Sequence, residues 1–561
     1  MLRHPLSRTS CALLLAATGC RTASKGMDEA VDTSEADDTG AAVDVGPPCP
    51  VFVAIGGATG APGTEDAPVP TIAEALAVRA SDCLDVWVGP GTYTEDVDYG
   101  DIELRLIGLE GAGATTLVGT GTDAVVTIAG EQRAAELVGF RVTGGTGWSG
   151  GGTLSTTETW GGGVAVFEAN ALLEDIRIDG NTATGGGGGL LLHKASATMV
   201  EVIVADNTVD GGSGGEGGGV LVVEGALDAV TLMVMGNTVA ARGAVRGGGI
   251  GARASEIRAT DLVIEDNTLP GVTEGDSGLT GGGGIAVSAT TLTLDGATLL
   301  TNTLTCEDGG SDAIGGGGLL AVQSTVDILE TTLSGNGATG TRCHLRGGGI
   351  ALSSVDGTLH GVDLRDNGLA LQVAGRAEGG GLAVADSSPE LWGLIVAGNH
   401  ITTTATTDAE VRGGGMWLSR TSPEIRRSTV HANSVSASDA GTPDVAGGGL
   451  FVDESAPRLL GLLLTQNTSA GSGGGGGVHP TGTGEPDITH SDLWANTGDA
   501  TAEAPASAED GNISADPLYA GPEGTDPLLW DLSLQAGSPA IDAGDPDEVD
   551  ADGTRADMGA P

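Results

Sequence analysis

Carboxylates dominate the ionisable groups of this sequence, with 75 Asp and Glu against 24 Lys and Arg. Acid–base work on a glycosidic bond needs two carboxylates roughly 5–9 Å apart. Acids stand directly before an asparagine at Asp206, Asp266 and Asp366. These fall in the second, fourth and seventh of eleven repeat units, so no two are neighbours, and they read as turn chemistry. A second acidic group, Asp545, Asp547, Asp550 and Asp552, suits Ca²⁺ in ligand type. Its spacing matches no EF-hand loop, and a solvated acidic tail is the competing reading. No other cofactor is called for.

The remaining reactive residues are isolated. Lys194 has no acidic cluster beside it and reads as a solvated surface lysine. Asp37-Asp38 is the one Asp-Asp pair, and His360-Gly361 is a lone dipeptide. Glycine runs invite a phosphate-loop reading, but that loop ends in Lys-Ser/Thr and opens a helix. The GGxGxD nonapeptides of calcium-binding rolls are absent. Trp148 and Trp160 flank Gly150 to Gly152 and could stack on sugars; edge packing is the alternative, as for Trp392, Trp417 and Trp494.

What must position these residues is a repeat. Eleven glycine runs end at Gly163, Gly189, Gly219, Gly249, Gly284, Gly318, Gly349, Gly381, Gly415, Gly449 and Gly477. Each is followed by an asparagine: Asn181, Asn207, Asn237, Asn267, Asn302, Asn336, Asn367, Asn399, Asn433, Asn467 and Asn496. Ten of the gaps are 18 residues and the last is 19, whereas the stretch from Asn to the next run varies from 8 to 17. A fixed block alternating with a variable one is the signature of a solenoid whose insertions collect on one edge.

Within the fixed block, apolar residues recur after the glycines (Val164, Leu190, Val220), eight before the Asn (Leu173, Met199, Ala229) and three before it (Ile178, Val204, Val234). Period-2 alternation around them reads as three short strands, with no room for a helix. The fold class expected is all-β: a parallel β-helix of about 13–14 rungs, spaced about 4.8 Å apart. The asparagines would stack into an amide ladder and tolerate left-handed turns, and the glycines would admit positive φ and close approach. Pro389, Pro423, Pro457 and Pro486 stand ten residues before an Asn, where each can open a strand. Thr71–Ala80, led by Pro70, reads as an amphipathic helix plugging the first rung, with residues 86–160 as two or three irregular rungs.

Net charge is −51, which argues against nucleic acid or an anionic membrane as partner of the folded part. Arg3 and Arg8 precede a short apolar run, Cys11 to Ala17, too short to span a bilayer. Ala17-Thr18-Gly19-Cys20 resembles a bacterial lipobox, which implies cleavage before Cys20 and its lipidation; an ordinary secretory signal is the alternative. Residues 20–48 read as an acidic disordered tether. In an exported chain, pairing Cys49 with Cys83 and Cys306 with Cys343 is sensible, free thiols being the alternative.

The helix, Val86-Trp87-Val88-Gly89-Pro90-Gly91-Thr92-Tyr93-Thr94-Glu95 and the Gly/Asn rungs together resemble the right-handed parallel β-helix (pectin-lyase-like) superfamily. The rungs are similar to those of polymorphic outer-membrane proteins and related bacterial surface proteins. The resemblance spans roughly residues 50–500. Gly537-Ser538-Pro539-Ala540-Ile541-Asp542-Ala543-Gly544 is similar to the closing segment of many such proteins. Polymorphic outer-membrane proteins end in a β-barrel; here the lipid on Cys20 would replace it as anchor. Lyases and hydrolases that the resemblance brings in carry WIDH-like, RxPxxR, NTD, GHG and RxK segments, and none is found.

The domain organisation expected is a signal peptide (1–19), a tether (20–48), a β-helix (49–500, with irregular rungs at 49–160 and eleven regular ones at 161–496) and a C-terminal cap or tail (501–561). The functional expectation is a non-catalytic surface lipoprotein of the bacterial outer membrane, an adhesin or envelope rod meeting a glycan or surface protein. The alternative is a polysaccharide-binding or polysaccharide-cleaving protein. A calcium-dependent surface-layer or matrix component is a third reading.

Overall fold

The computed structural model describes residues 49–561 apart from 101, 131–133, 150–153, 213, 242, 274–279, 309–312, 406–408, 439–443, 471–473, 499–505 and 523. The expected signal peptide and tether, Cys20 and Gly150 to Gly152 lie outside the described residues. The described residues from 49 on form one compact unit.

The rung holding Asn207 shows how the repeat folds. Leu190–His193 forms one face. Lys194, at φ 51°, turns the corner into the ten-residue strand Ser196–Ala205, which Glu201 bends at φ 54° into a second and a third face. Asp206, at φ 55°, makes the next corner, and Gly217, at φ 61°, turns the chain into the following rung. Strands stack in register: Leu190 pairs with Val164 below and Val220 above. The first faces make a 13-stranded parallel sheet, and the other two make a 25-stranded one. One residue per pair points inward, so Leu190, Leu192, Met199 and Val204 join a single aliphatic core running from Val51 to Ile488.

Glycine and asparagine prove to be two halves of one closure. Of the last three glycines of a run, the first carries the positive φ, as Gly187 and Gly217 do. A Cβ on the second, Gly188, would lie 2.4 Å from the carbonyl oxygen of Gly218. A Cβ on the third, Gly189, would lie 2.9 Å from the amide nitrogen of Asn207. Asn207 in turn is buried, and its Oδ1 accepts from both the backbone N and Nδ2 of Asn181 at 3.0 Å. Its own Nδ2 donates to Asn237 Oδ1 and to the Ile178 carbonyl, each at 3.0 Å. The ladder runs this way from Asn181 to Asn496. The left-handed turn expected of the asparagine falls instead on the residue before it, such as Asp206, Asp266 or Asp366. The amide must point inward to bond its neighbours, and only the preceding corner residue faces out.

The variable stretch is not a set of edge loops. It leaves the rung as one strand and returns as another, for example Thr238–Val239 and Ala244–Arg246. Outgoing and returning strands stack between rungs into a further parallel sheet. This fin has its own aliphatic interior, including Val239, Val245, Leu304, Leu345, Val411 and Val435. The Cys306–Cys343 disulfide lies within it, both residues 1% exposed.

At the N-terminal end, helix α1 (Ile72–Val78) buries Ile72 and Ala75 against the core. Thr71 caps it by accepting from Glu74 N at 3.1 Å, and the Glu95 carboxylate accepts from Ile72 N and Ala73 N at 3.0 Å. A negative group at a helix N-terminus meets otherwise unpaired N–H groups. Cys49 and Cys83 are bonded beside it. The four prolines immediately precede Glu390–Trp392, Glu424–Arg426, Arg458–Leu460 and Asp487–Thr489.

Candidate functional site

Most residues singled out by type are placed apart. Lys194 is an exposed corner residue. Asp206, Asp266 and Asp366 are corners of separate rungs; Asp266 Oδ1 accepts from Thr301 Oγ1 at 2.5 Å, and Asp366 lies 3.9 Å from His400. Trp148 packs 4.2 Å from Phe167, and Trp160 donates from Nε1 to the Ser155 carbonyl. His360 meets Trp392 edge-on at 4.1 Å. Trp417 is 2% exposed, and Trp494 is half-buried on the last regular rung.

Charge is organised in two places that spacing did not reveal. One is the inner angle where the fin's returning strands meet the first face. Along that wall Glu216 registers with Arg246, Arg346 with Glu378, and Glu378 with Arg412. Glu216 bridges Arg246 at 3.3 Å and Arg253 of the first face at 3.0 Å. Glu378, 2% exposed, accepts from His344 Nε2 at 2.8 Å and Arg346 Nε at 2.9 Å. Arg346 covers Trp417 at 4.7 Å and Arg412 covers Phe451 at 5.1 Å. Arg412 also reaches Asp444 at 2.8 Å, and Arg420 pairs with Asp386 at 2.6 Å. Burial pushes the Glu378 carboxyl up, but His344 and Arg346 prevail and hold it below the ordinary range. The hydrogen bond from Arg420 holds Asp386 down likewise. Both are charged at neutral pH, the wrong state for a general acid.

The other place is under the C-terminal segment. Rather than ending on the last rung, residues 513–561 fold back as a strap across the third face. Ile513 pairs with Asp492, and Tyr519–Gly521 and Asp531–Leu534 form an antiparallel pair. Arg365 Nη1 donates to the Pro527 and Trp530 carbonyls at 2.9 and 2.8 Å. Arg426 pairs with Glu548 at 2.8 Å, Arg427 pairs with Asp550, and Ala560 N donates to Thr429 Oγ1 at 3.1 Å. Leu463, Tyr519, Ala540 and Met558 form a small apolar core between strap and rungs.

Buried polar groups lie beneath it. His431 Nδ1 meets Thr465 Oγ1 at 2.8 Å, and that hydroxyl meets Tyr519 OH at 3.1 Å. Burial, with Arg365 nearby, lowers the His431 pKa to about 4. Burial raises Asp492 to about 6, against a bond from Ala515 N. His431 Nε2 and Asp492 Oδ2 have no hydrogen-bond partner.

The four tail aspartates do not converge on a cation: no group of three metal-type ligands occurs among the described residues. Local bonds draw them apart. Asp545 caps Asp547 N at 2.9 Å, Asp552 holds Thr554 N and Oγ1 at 2.9 and 2.7 Å, and Asp550 is taken by Arg427 and Asp557 N. Nor is the segment a free acidic tail, since it docks on the rungs. Between strap and third face lies a cavity of about 610 Å³.

No family model matches the chain, and no curated protein matches it. The chain is similar to several solved structures, among them the following. Pectin methylesterase from carrot is 13% identical over 53% of this chain and 85% of that one, with TM-score 0.26. Pectate lyase Pel9A is 12% identical over 91% and 95%, with TM-score 0.25. The catalytic domain of GH87 α-1,3-glucanase is 12% identical over 56% and 63%, with TM-score 0.24. This chain is a parallel β-helix. Its rungs establish that by themselves, and identities this low say nothing of its activity. No helix among the described residues is long and apolar enough to cross a membrane.

Proposed function

We propose that the protein is an exported, lipid-anchored β-helix that binds an extended polysaccharide without cleaving it. The observation that carries this reading is the charged inner angle between fin and first face. It follows the stacked returning strands in two stretches, Glu216 with Arg246 and then Arg346, Glu378 and Arg412, with Gly281 and Gly315 between them, and offers guanidinium donors and carboxylate acceptors to a polyhydroxylated chain. The pairing of Glu378 and Asp386 with cations supports binding over hydrolysis, since neither is available as a proton donor. Two disulfides support an oxidising compartment, and Cys20 would supply the anchor.

The test is to incubate the purified protein with neutral and acidic polysaccharides, with and without Ca²⁺. Binding that weakens at least tenfold in Arg346→Ala, with no chain shortening, is expected. Shortening of any polymer would overturn the non-catalytic reading. A Cys20→Ala protein that still partitions with membranes would remove the lipid anchor.

A further inference from the structure

The strap cavity is walled by two elements that are remote in sequence. Arg365, Ile395, Arg427 and Thr429 come from the rungs, and Trp530, Asp531 and Asp557 from the strap. At about 610 Å³ it falls in the range of small-molecule sites. We propose that it binds a neutral saccharide of one or two residues, and that this ligand holds the strap down.

Its lining selects the ligand class. Arg427 spends one nitrogen on Asp550, and its buried Nε has no hydrogen-bond partner. Asp531 Oδ1 takes Ser533 N and Oγ at 3.1 and 2.6 Å, leaving Oδ2; Asp557 Oδ1 takes Asp542 N at 2.7 Å, also leaving Oδ2. Donors and acceptors therefore stand together. Asp531, Asp552 and Asp557 would repel an anion, and among the described residues no three carboxylates group to hold a metal ion. A hydroxyl satisfies donors and acceptors alike, because it accepts and donates at once. Half-buried Trp530 and Ile395 supply an apolar wall for sugar C–H groups.

Because the cavity exists only with the strap docked, a ligand at one hundred times its Kd lowers the open population about 100-fold. The choice of probe rests on reading the protein as a saccharide binder; the site itself does not. The experiment titrates the whole protein with neutral mono- and disaccharides, following tryptophan emission and tryptic cleavage after Arg555 in the strap. A saturable emission change with at least tenfold slower cleavage is expected. Arg427→Gln should abolish both. Ile395→Trp, which fills the cavity from the sheet side, should abolish the emission change and keep the strap docked. Arg346→Ala should leave both intact, which separates this site from the fin. No saturable change with any neutral sugar, saturation by charged sugars alone, or wild-type binding in Arg427→Gln and Ile395→Trp would each overturn the proposal.

Discussion

The prism of rungs and the fin beside it are both stacks of parallel strands, yet they hold their shape by different means. In the prism every rung closes on itself, so the third glycine must meet the asparagine amide of its own rung, and that amide must meet the next. In the fin nothing closes. An outgoing and a returning strand face each other across aliphatic side chains, and the number of residues that joins them differs from unit to unit. Closure demands particular residue types at particular positions, whereas an open pair demands only alternation. That is why one block keeps its length and the other varies from 8 to 17 residues.

The sharpest way to break the contrast is insertion. One alanine between Leu359 and His360 shifts every later side chain of its rung to the opposite face, and should abolish cooperative unfolding seen by circular dichroism. Next in size are single closures. Gly317→Ala puts a Cβ 2.3 Å from the Gly348 carbonyl oxygen. Asn302→Ala takes away the acceptor of the buried backbone N of Asn267 and of one of its two Nδ2 hydrogens. Each should cost roughly 3 kcal/mol or more in urea unfolding. In the fin, the double change Cys306→Ala and Cys343→Ala should cost about 2 kcal/mol in the same measurement.

Asp492→Asn tests the strap. The folded pKa of Asp492 is raised to about 6, so its contribution is fully present below about 4 and lost as pH rises through 6. The variant should therefore gain up to about 2 kcal/mol at pH 7.5 and nothing at pH 4, read as Tm against pH. The smallest effect should come from four Gly/Ser residues added between Ala440 and Gly441, in the sequence that joins strands Ser434–Ala437 and Asp444–Ala446. Loop entropy puts that cost at about 0.5 kcal/mol; a loss above about 2 would mean the fin is as constrained as the prism.

The same distinction explains what could be read without coordinates. Gly188, Gly189 and Asn207 are chosen by contacts at fixed spacing, so counting residues finds them. The corner before each asparagine was harder to locate, because Gly180, Asp206, Thr301 and Gln466 share a backbone angle but no residue type. The fin strands were hidden because unequal lengths scatter Val245, Leu345 and Val411 when residues are counted from the preceding asparagine; counted from the following glycine run, each stands four before Gly249, Gly349 and Gly415. Arg346 over Trp417 and Arg427 with Asp550 join residues 71 and 123 positions apart, and no local pattern announces such partners.

A solenoid is ordinarily a one-dimensional material, in which each unit feels only its two neighbours and ends can unzip one at a time. The strap cancels that at one end. By reaching from Asp492 back to Arg365 it rivets the last five regular units together across their sides. Under heat or axial tension those five should yield as a block, with a single slow class of amide exchange, while the units near Asn181 peel away in sequence. The molecule would behave less like a uniform rod than like a rope with one spliced end.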